Sequence, residues 1–87
     1  MSYRIIIKAL AKRQMKKLDA RTNERLDEPI RELAVDPYPN GVSKLKSRKG
    51  NVFRIRVGNY RVVYTVDDQS KIVKIESVAP RSKPYRK

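Results

Sequence analysis

The stretch NVFRIRVGNYRVVY, residues 51–64, leaves the chain little conformational choice. Two apolar runs flank Gly58-Asn59. A glycine at the first central position of a two-residue loop suits the primed turns that join antiparallel strands. Such a turn sets the register: Val57 opposite Tyr60, Arg56 opposite Arg61, Arg54 opposite Val63. Successive strand residues point to opposite faces. Phe53, Ile55 and Val57 therefore share one face, while Arg54 and Arg56 lie on the other, joined there by Arg61. Two guanidinium groups are directly opposed, and like charges in that position destabilise a sheet. Charges do protect exposed strands from aggregation. That role does not explain three arginines, the side chain whose planar fork suits bidentate phosphate contacts. The arrangement predicts a bound anion.

Around this hairpin the periodicity changes twice. Residues 2–8, SYRIIIK, read as a first strand with Tyr3, Ile5 and Ile7 on one face. In KALAKRQMKKLD the apolar positions Ala11, Met15 and Leu18 follow helical spacing. Asp19 suits the cap of a second helix, whose apolar stripe is Leu26, Ile30 and Leu33. Pro29 must kink that helix or mark its first turn. DPYPNG at 36–41 is a turn-rich loop, and KLKSRKG at 44–50 an exposed basic connector. DDQS at 67–70 makes a second turn before a last strand, KIVKIESVA at 71–79. Asp67 and Asp68, the one adjacent acidic pair in the basic half, read as turn residues. The predicted fold is α+β: strand, helix, helix, strand, strand, strand. A helical pair packs on a small, curved, mainly antiparallel four-stranded sheet, and residues 1–87 form one domain.

Charge narrows the partner. The net charge of +13 is unevenly spread: +5 over residues 1–20, −2 over 21–40 and +10 over 41–87. A cationic half of this size favours a polyanion, most simply a nucleic acid. The chain has no cysteine and no histidine, so the usual zinc ligands, thiolate chemistry and the commonest general base are missing. No apolar run reaches membrane-spanning length, and MSYRIIIKAL is too short for a signal peptide. The expectation is a cytoplasmic protein with no membrane partner.

Three segments, LAVDPYPNGVSKLK, VFRIRVGNYRVVY and SVAPRSKPY, resemble the RelE/ParE toxin superfamily over nearly the whole chain. The hairpin spacing is closer to the RelE branch. The resemblance implies a type II toxin that cleaves messenger RNA in the ribosomal A site, in contact with ribosomal RNA, and is held inactive by an acidic RelB-like antitoxin. It implies no metal and no cofactor. Arg54 and Arg56 match two basic strand residues that are often lysine in relatives. Arg61 matches the arginine of the YR[LV]VY motif, Arg81 the arginine after the last strand, and Tyr85 the tyrosine that contacts the substrate nucleotide. Lys44, Lys46, Arg48, Lys49 and Lys83 are candidate RNA contacts. The chain departs from many relatives at Pro80, where they carry histidine, and it ends without the further C-terminal helix that some of them have.

The implied reaction is attack of a 2′-hydroxyl on the adjacent phosphate, leaving a 2′,3′-cyclic phosphate and a 5′-hydroxyl. The arginines would neutralise charge at phosphorus, an effect worth several kcal/mol in such sites (roughly 3–4 per donor). Arg81 would face the leaving oxygen, and Tyr85 would position the base. Arg56 holds phosphate rather than taking a proton, because a guanidinium is always charged near neutrality. That leaves the general base without a name. Two other functions fit the charge: a ParE-like inhibitor of DNA gyrase, and a non-catalytic basic RNA-binding module.

Overall fold

The computed structural model describes residues 2–45 and 52–80. Strand β1 (Arg4–Ile7) leads into helix α1 (Ala9–Lys16) and helix α2 (Ala20–Glu32). Four strands follow: β2 (Ser43–Leu45), β3 (Val52–Val57), β4 (Tyr60–Asp67) and β5 (Ile72–Pro80). They form one five-stranded sheet in the order β1-β5-β4-β3-β2. The last strand thus lies inside the sheet, parallel to β1 and antiparallel to β4.

The α+β architecture and order agree with the sequence reading, but the sheet has five strands rather than four. The extra strand is β2, whose Lys44 pairs with Phe53 at the start of the segment expected to be a connector. Three residues are too few to show an alternating pattern, so pairing with β3 decides their conformation.

Both helices form as their stripes predict. Ala11 is buried, and Met15 and Leu18 are half-buried against the core, although Leu18 lies just past the end of α1. Asp19 caps α2: its Oδ1 accepts the Thr22 N–H at 3.0 Å, and these bonds hold its carboxyl below the usual range. Helix α2 continues through Pro29 to Glu32. The missing proline N–H deprives the carbonyl of Arg25, an exposed residue, of its donor. The loss is offset by Leu26, Ile30 and Leu33, all buried against the sheet.

The core joins these side chains to Phe53, Ile55, Val62, Tyr64, Val73, Ile75 and Val78 from β3, β4 and β5. All the sheet residues in it point to the helical side. Tyr64 is fully buried, and its hydroxyl donates to the Pro37 carbonyl at 2.7 Å, fastening the 36–41 loop; burial pushes its pKa up. Tyr38, in that loop, packs edge-on against Phe53 with centroids 5.2 Å apart. Its hydroxyl donates to Asp68 Oδ2 at 2.8 Å, while the Tyr3 hydroxyl donates to Asp68 Oδ1. One carboxylate therefore ties the residue just before β1, the 36–41 loop and the β4–β5 turn. Burial and the Asp68 bond push the Tyr38 hydroxyl up to about 12, and the two tyrosine hydroxyls hold Asp68 below the carboxylate range.

Candidate functional site on the open face of the sheet

The turn that sets the site is Gly58-Asn59. Gly58 has φ +58, while Asn59 does not have positive φ, the pattern of a turn that needs glycine only at its first central position. The observed register pairs Val57 with Tyr60, Arg56 with Arg61 and Arg54 with Val63, as the turn predicts. The three arginines share the face away from the helices. Facing residues have Cβ atoms about 4.5–5.5 Å apart, so the Arg56 and Arg61 side chains leave the sheet side by side and their like charges repel.

The arginines differ in environment. Arg56 is exposed, while Arg54 and Arg61 are half-buried. The Arg61 Nε is buried and has no hydrogen-bond partner among the described residues. No salt bridge joins any of the three to a carboxylate among the described residues. A guanidinium fork without an acid partner is free to bind phosphate oxygens.

Beside the arginines the face is low. Arg61 lies opposite Ala79, and Val63 lies opposite Ser77, so small side chains cover the centre of β4 and β5. The far side is polar: Lys74, Thr65 and Glu76, with Lys8 reaching in from the end of β1. A nucleotide laid on this floor would meet three guanidinium groups on one side. A separate groove of about 540 Å³ lies on the helical side between α2, the 36–41 loop and β3, with Arg56 on its rim.

Of the other candidate residues, the described one, Lys44, is not brought to this face. Lys44 pairs with Phe53 and so has the facing of the core residue, not of Arg54. Lys46, Arg48, Lys49, Arg81, Lys83 and Tyr85 lie outside the described residues. Asp68 is a turn residue, as expected, whereas Asp67 ends β4 and its side chain closes the turn that follows. Asp67 Oδ1 accepts the N–H groups of Gln69 and Ser70, both at 3.1 Å, and these bonds lower its pKa.

Glu76 was not singled out by the sequence reading. A signal for it exists: apolar positions on the last strand run Val73, Ile75 and then Val78, so the alternation slips by one residue. The structure has a register shift at that point, between Val63 and Tyr64 on the neighbouring strand. Among the described residues no group of three or more His, Cys, Asp or Glu side chains could hold a metal ion. No described helix is long and apolar enough to cross a membrane.

Comparison with known proteins agrees with this architecture. Residues 5–85 match the family of the ParE toxin of the type II toxin-antitoxin system parDE. The chain is 27% identical over 88 residues to a Methanocaldococcus jannaschii protein named as a toxin, RelE1; the match covers 99% of this chain and 98% of that one. Its fold matches a chain of the archaeal RelE–RelB complex from Pyrococcus horikoshii with a TM-score of 0.83 and 30% identity, covering 97% of this chain and 100% of that one. A chain of the Mycobacterium tuberculosis RelBE2 toxin–antitoxin complex matches with a TM-score of 0.81 and 27% identity, covering 93% and 100%. With the arginine-bearing hairpin in its expected register, these likenesses place the chain in the RelE/ParE superfamily, as a RelE-like toxin of a type II toxin-antitoxin system.

Proposed function

We propose that the protein is a ribosome-dependent messenger RNA endonuclease. The observation that carries this reading is the set of three arginines on one open face, two of them directly opposed across the hairpin and none salt-bridged to a carboxylate among the described residues. Arg54, Arg56 and Arg61 take the scissile phosphate and balance the charge that builds on it during attack by the 2′-hydroxyl. The half-buried Arg61, with its Nε enclosed, holds the phosphate most rigidly. Arg81 faces the leaving 5′-oxygen and Tyr85 stacks on a base, a contact worth ~1–3 kcal/mol. The basic residues Lys44, Lys46, Arg48, Lys49 and Lys83 add contacts to messenger or ribosomal RNA. No cofactor is required for 2′-hydroxyl attack, and the site of action is the cytoplasm.

A RelB-like antitoxin is the natural protein partner. Structures of RelE–RelB and RelBE2 complexes are among the likenesses. Acidic segments of such a partner would cover the arginine face of a chain carrying +13.

The test is primer extension on a messenger RNA translated in a cell-free reaction with purified, antitoxin-free protein, beside the same RNA without ribosomes. Cuts inside codons that arise only during translation support the reading. Intact RNA in the presence of folded protein overturns it. The matching family is described as ParE, which favours gyrase inhibition as the second reading. Loss of supercoiling activity by purified gyrase would support that alternative. A salt-sensitive RNA complex without cleavage would leave a binding module.

A further inference from the structure

The endonuclease reading leaves one role unfilled: a group that takes the proton of the 2′-hydroxyl. Residues 41–87 hold three carboxylates, Asp67, Asp68 and Glu76. Asp67 accepts two backbone N–H groups in the β4–β5 turn, and Asp68 accepts two tyrosine hydroxyls there. Glu76 has a different position. Val63 faces Ser77 and Tyr64 faces Ile75, so Glu76 has no partner in the ladder. An extra residue in one strand is a β-bulge, and it resets the alternation. Here it lets Glu76 and Ser77 both occupy the arginine face, while Ile75 and Val78 on either side stay buried.

The side chain is also held. Thr65 Oγ1 donates to Glu76 Oε2 at 3.2 Å, and Lys8 Nζ lies 3.7 Å from Oε1. A carboxylate has about four lone-pair sites, so both contacts leave room for a further donor. Glu76 is on β5 and Arg54 on β3, two strands apart and thus separated by about 10 Å at the usual strand spacing. Between them lie Val63 and Ser77. That gap suits a ribose with its phosphate turned to the arginines and its 2′-hydroxyl to the carboxylate.

We infer that Glu76 is a further catalytic residue, the general base for the cleavage; the inference rests on the endonuclease reading above. The carboxylate accepts the 2′-hydroxyl proton as the O2′–P bond forms. The P–O5′ bond breaks, and the 5′-oxygen takes a proton from water. Glu76 then returns its proton to water.

The experiment is single-turnover cleavage of ribosome-bound messenger RNA by the full chain and by E76Q, E76D and E76A, with and without added formate. Circular dichroism checks each fold. E76Q and E76A are expected to cleave about 10²–10⁴-fold more slowly, with ribosome binding little changed. Formate, a small carboxylate able to enter the space left by E76A, is expected to restore part of its rate, and E76D to retain more activity than E76Q. Wild-type cleavage by E76Q overturns the inference. So does a loss shared by E76Q, E76D and E76A that formate does not relieve, because a merely structural carboxylate would behave that way. Absence of cleavage by the unsubstituted protein removes the endonuclease reading and this inference with it, an outcome distinct from the other two.

Discussion

Single side chains set both the strength of the site and the behaviour of the fold in acid. Arg61 faces Arg56, and its Nε has no acceptor among the described residues. Under the proposed endonuclease function, Arg61→Ala is expected to reduce ribosome-dependent cleavage by about 10²–10³-fold, the loss typical of one preorganised donor. It should leave the unfolding midpoint nearly unchanged, because relief of like-charge repulsion offsets lost packing. Parallel cleavage and thermal-unfolding assays check both halves. Asp68 illustrates linkage. Its folded pKa is lowered by the Tyr3 and Tyr38 hydroxyls, so its stabilising effect is complete above the ordinary aspartate pKa of about 3.9 and fades as pH falls through the folded value. Asp68→Asn is expected to flatten this acid dependence, measured as unfolding midpoint against pH from neutrality downward. The residue-level reading of the arginines was legible because a two-residue turn converts sequence distance into pairing. The partners of Asp68 were not, since Tyr3 and Tyr38 lie far from it in sequence and only the fold brings them together.

Elements follow local rules where those rules are strong. Gly58 has φ +58, a conformation that costs other L-residues roughly 1–2 kcal/mol. Gly58→Ala should therefore destabilise the protein by about that amount, even though a Cβ there would meet no atom within 4 Å. Pro29 gives the opposite expectation. It sits inside α2 without a backbone donor, and Pro29→Ala should stabilise by about 1–3 kcal/mol. Urea unfolding of the two variants beside the parent distinguishes backbone strain from packing, because the changes should have opposite signs. Both helices and the β3–β4 hairpin could be read from periodicity, a cap and a turn. Strand β2 could not, being three residues long and dependent on its neighbour. The bulge at Glu76 left only a slip of one in the alternation, which a search for regular strands passes over.

Across the whole molecule, charge and topology set terms that no single element controls. A chain with net +13 repels itself. Raising salt from low to moderate concentration is expected to stabilise it by on the order of 1 kcal/mol, about 4–8 °C in a domain of this size, because screening shortens the reach of each charge. Calorimetry against salt concentration checks this; a midpoint that falls with added salt would show that specific ion pairs outweigh the general repulsion. The sheet order also governs how the protein is made. Helices α1 and α2 and the β3–β4 hairpin rest on local contacts, but β5, last in sequence, lies between β1 and β4. During synthesis the arginine hairpin emerges before the strand that carries Glu76, Ser77 and Ala79. For the proposed endonuclease, a nascent chain at that stage would offer guanidinium groups without the rest of the face on which the substrate is to be laid, able to attract RNA electrostatically but not to seat it. On that proposal, vectorial emergence keeps the molecule inert until β5 is threaded between β1 and β4.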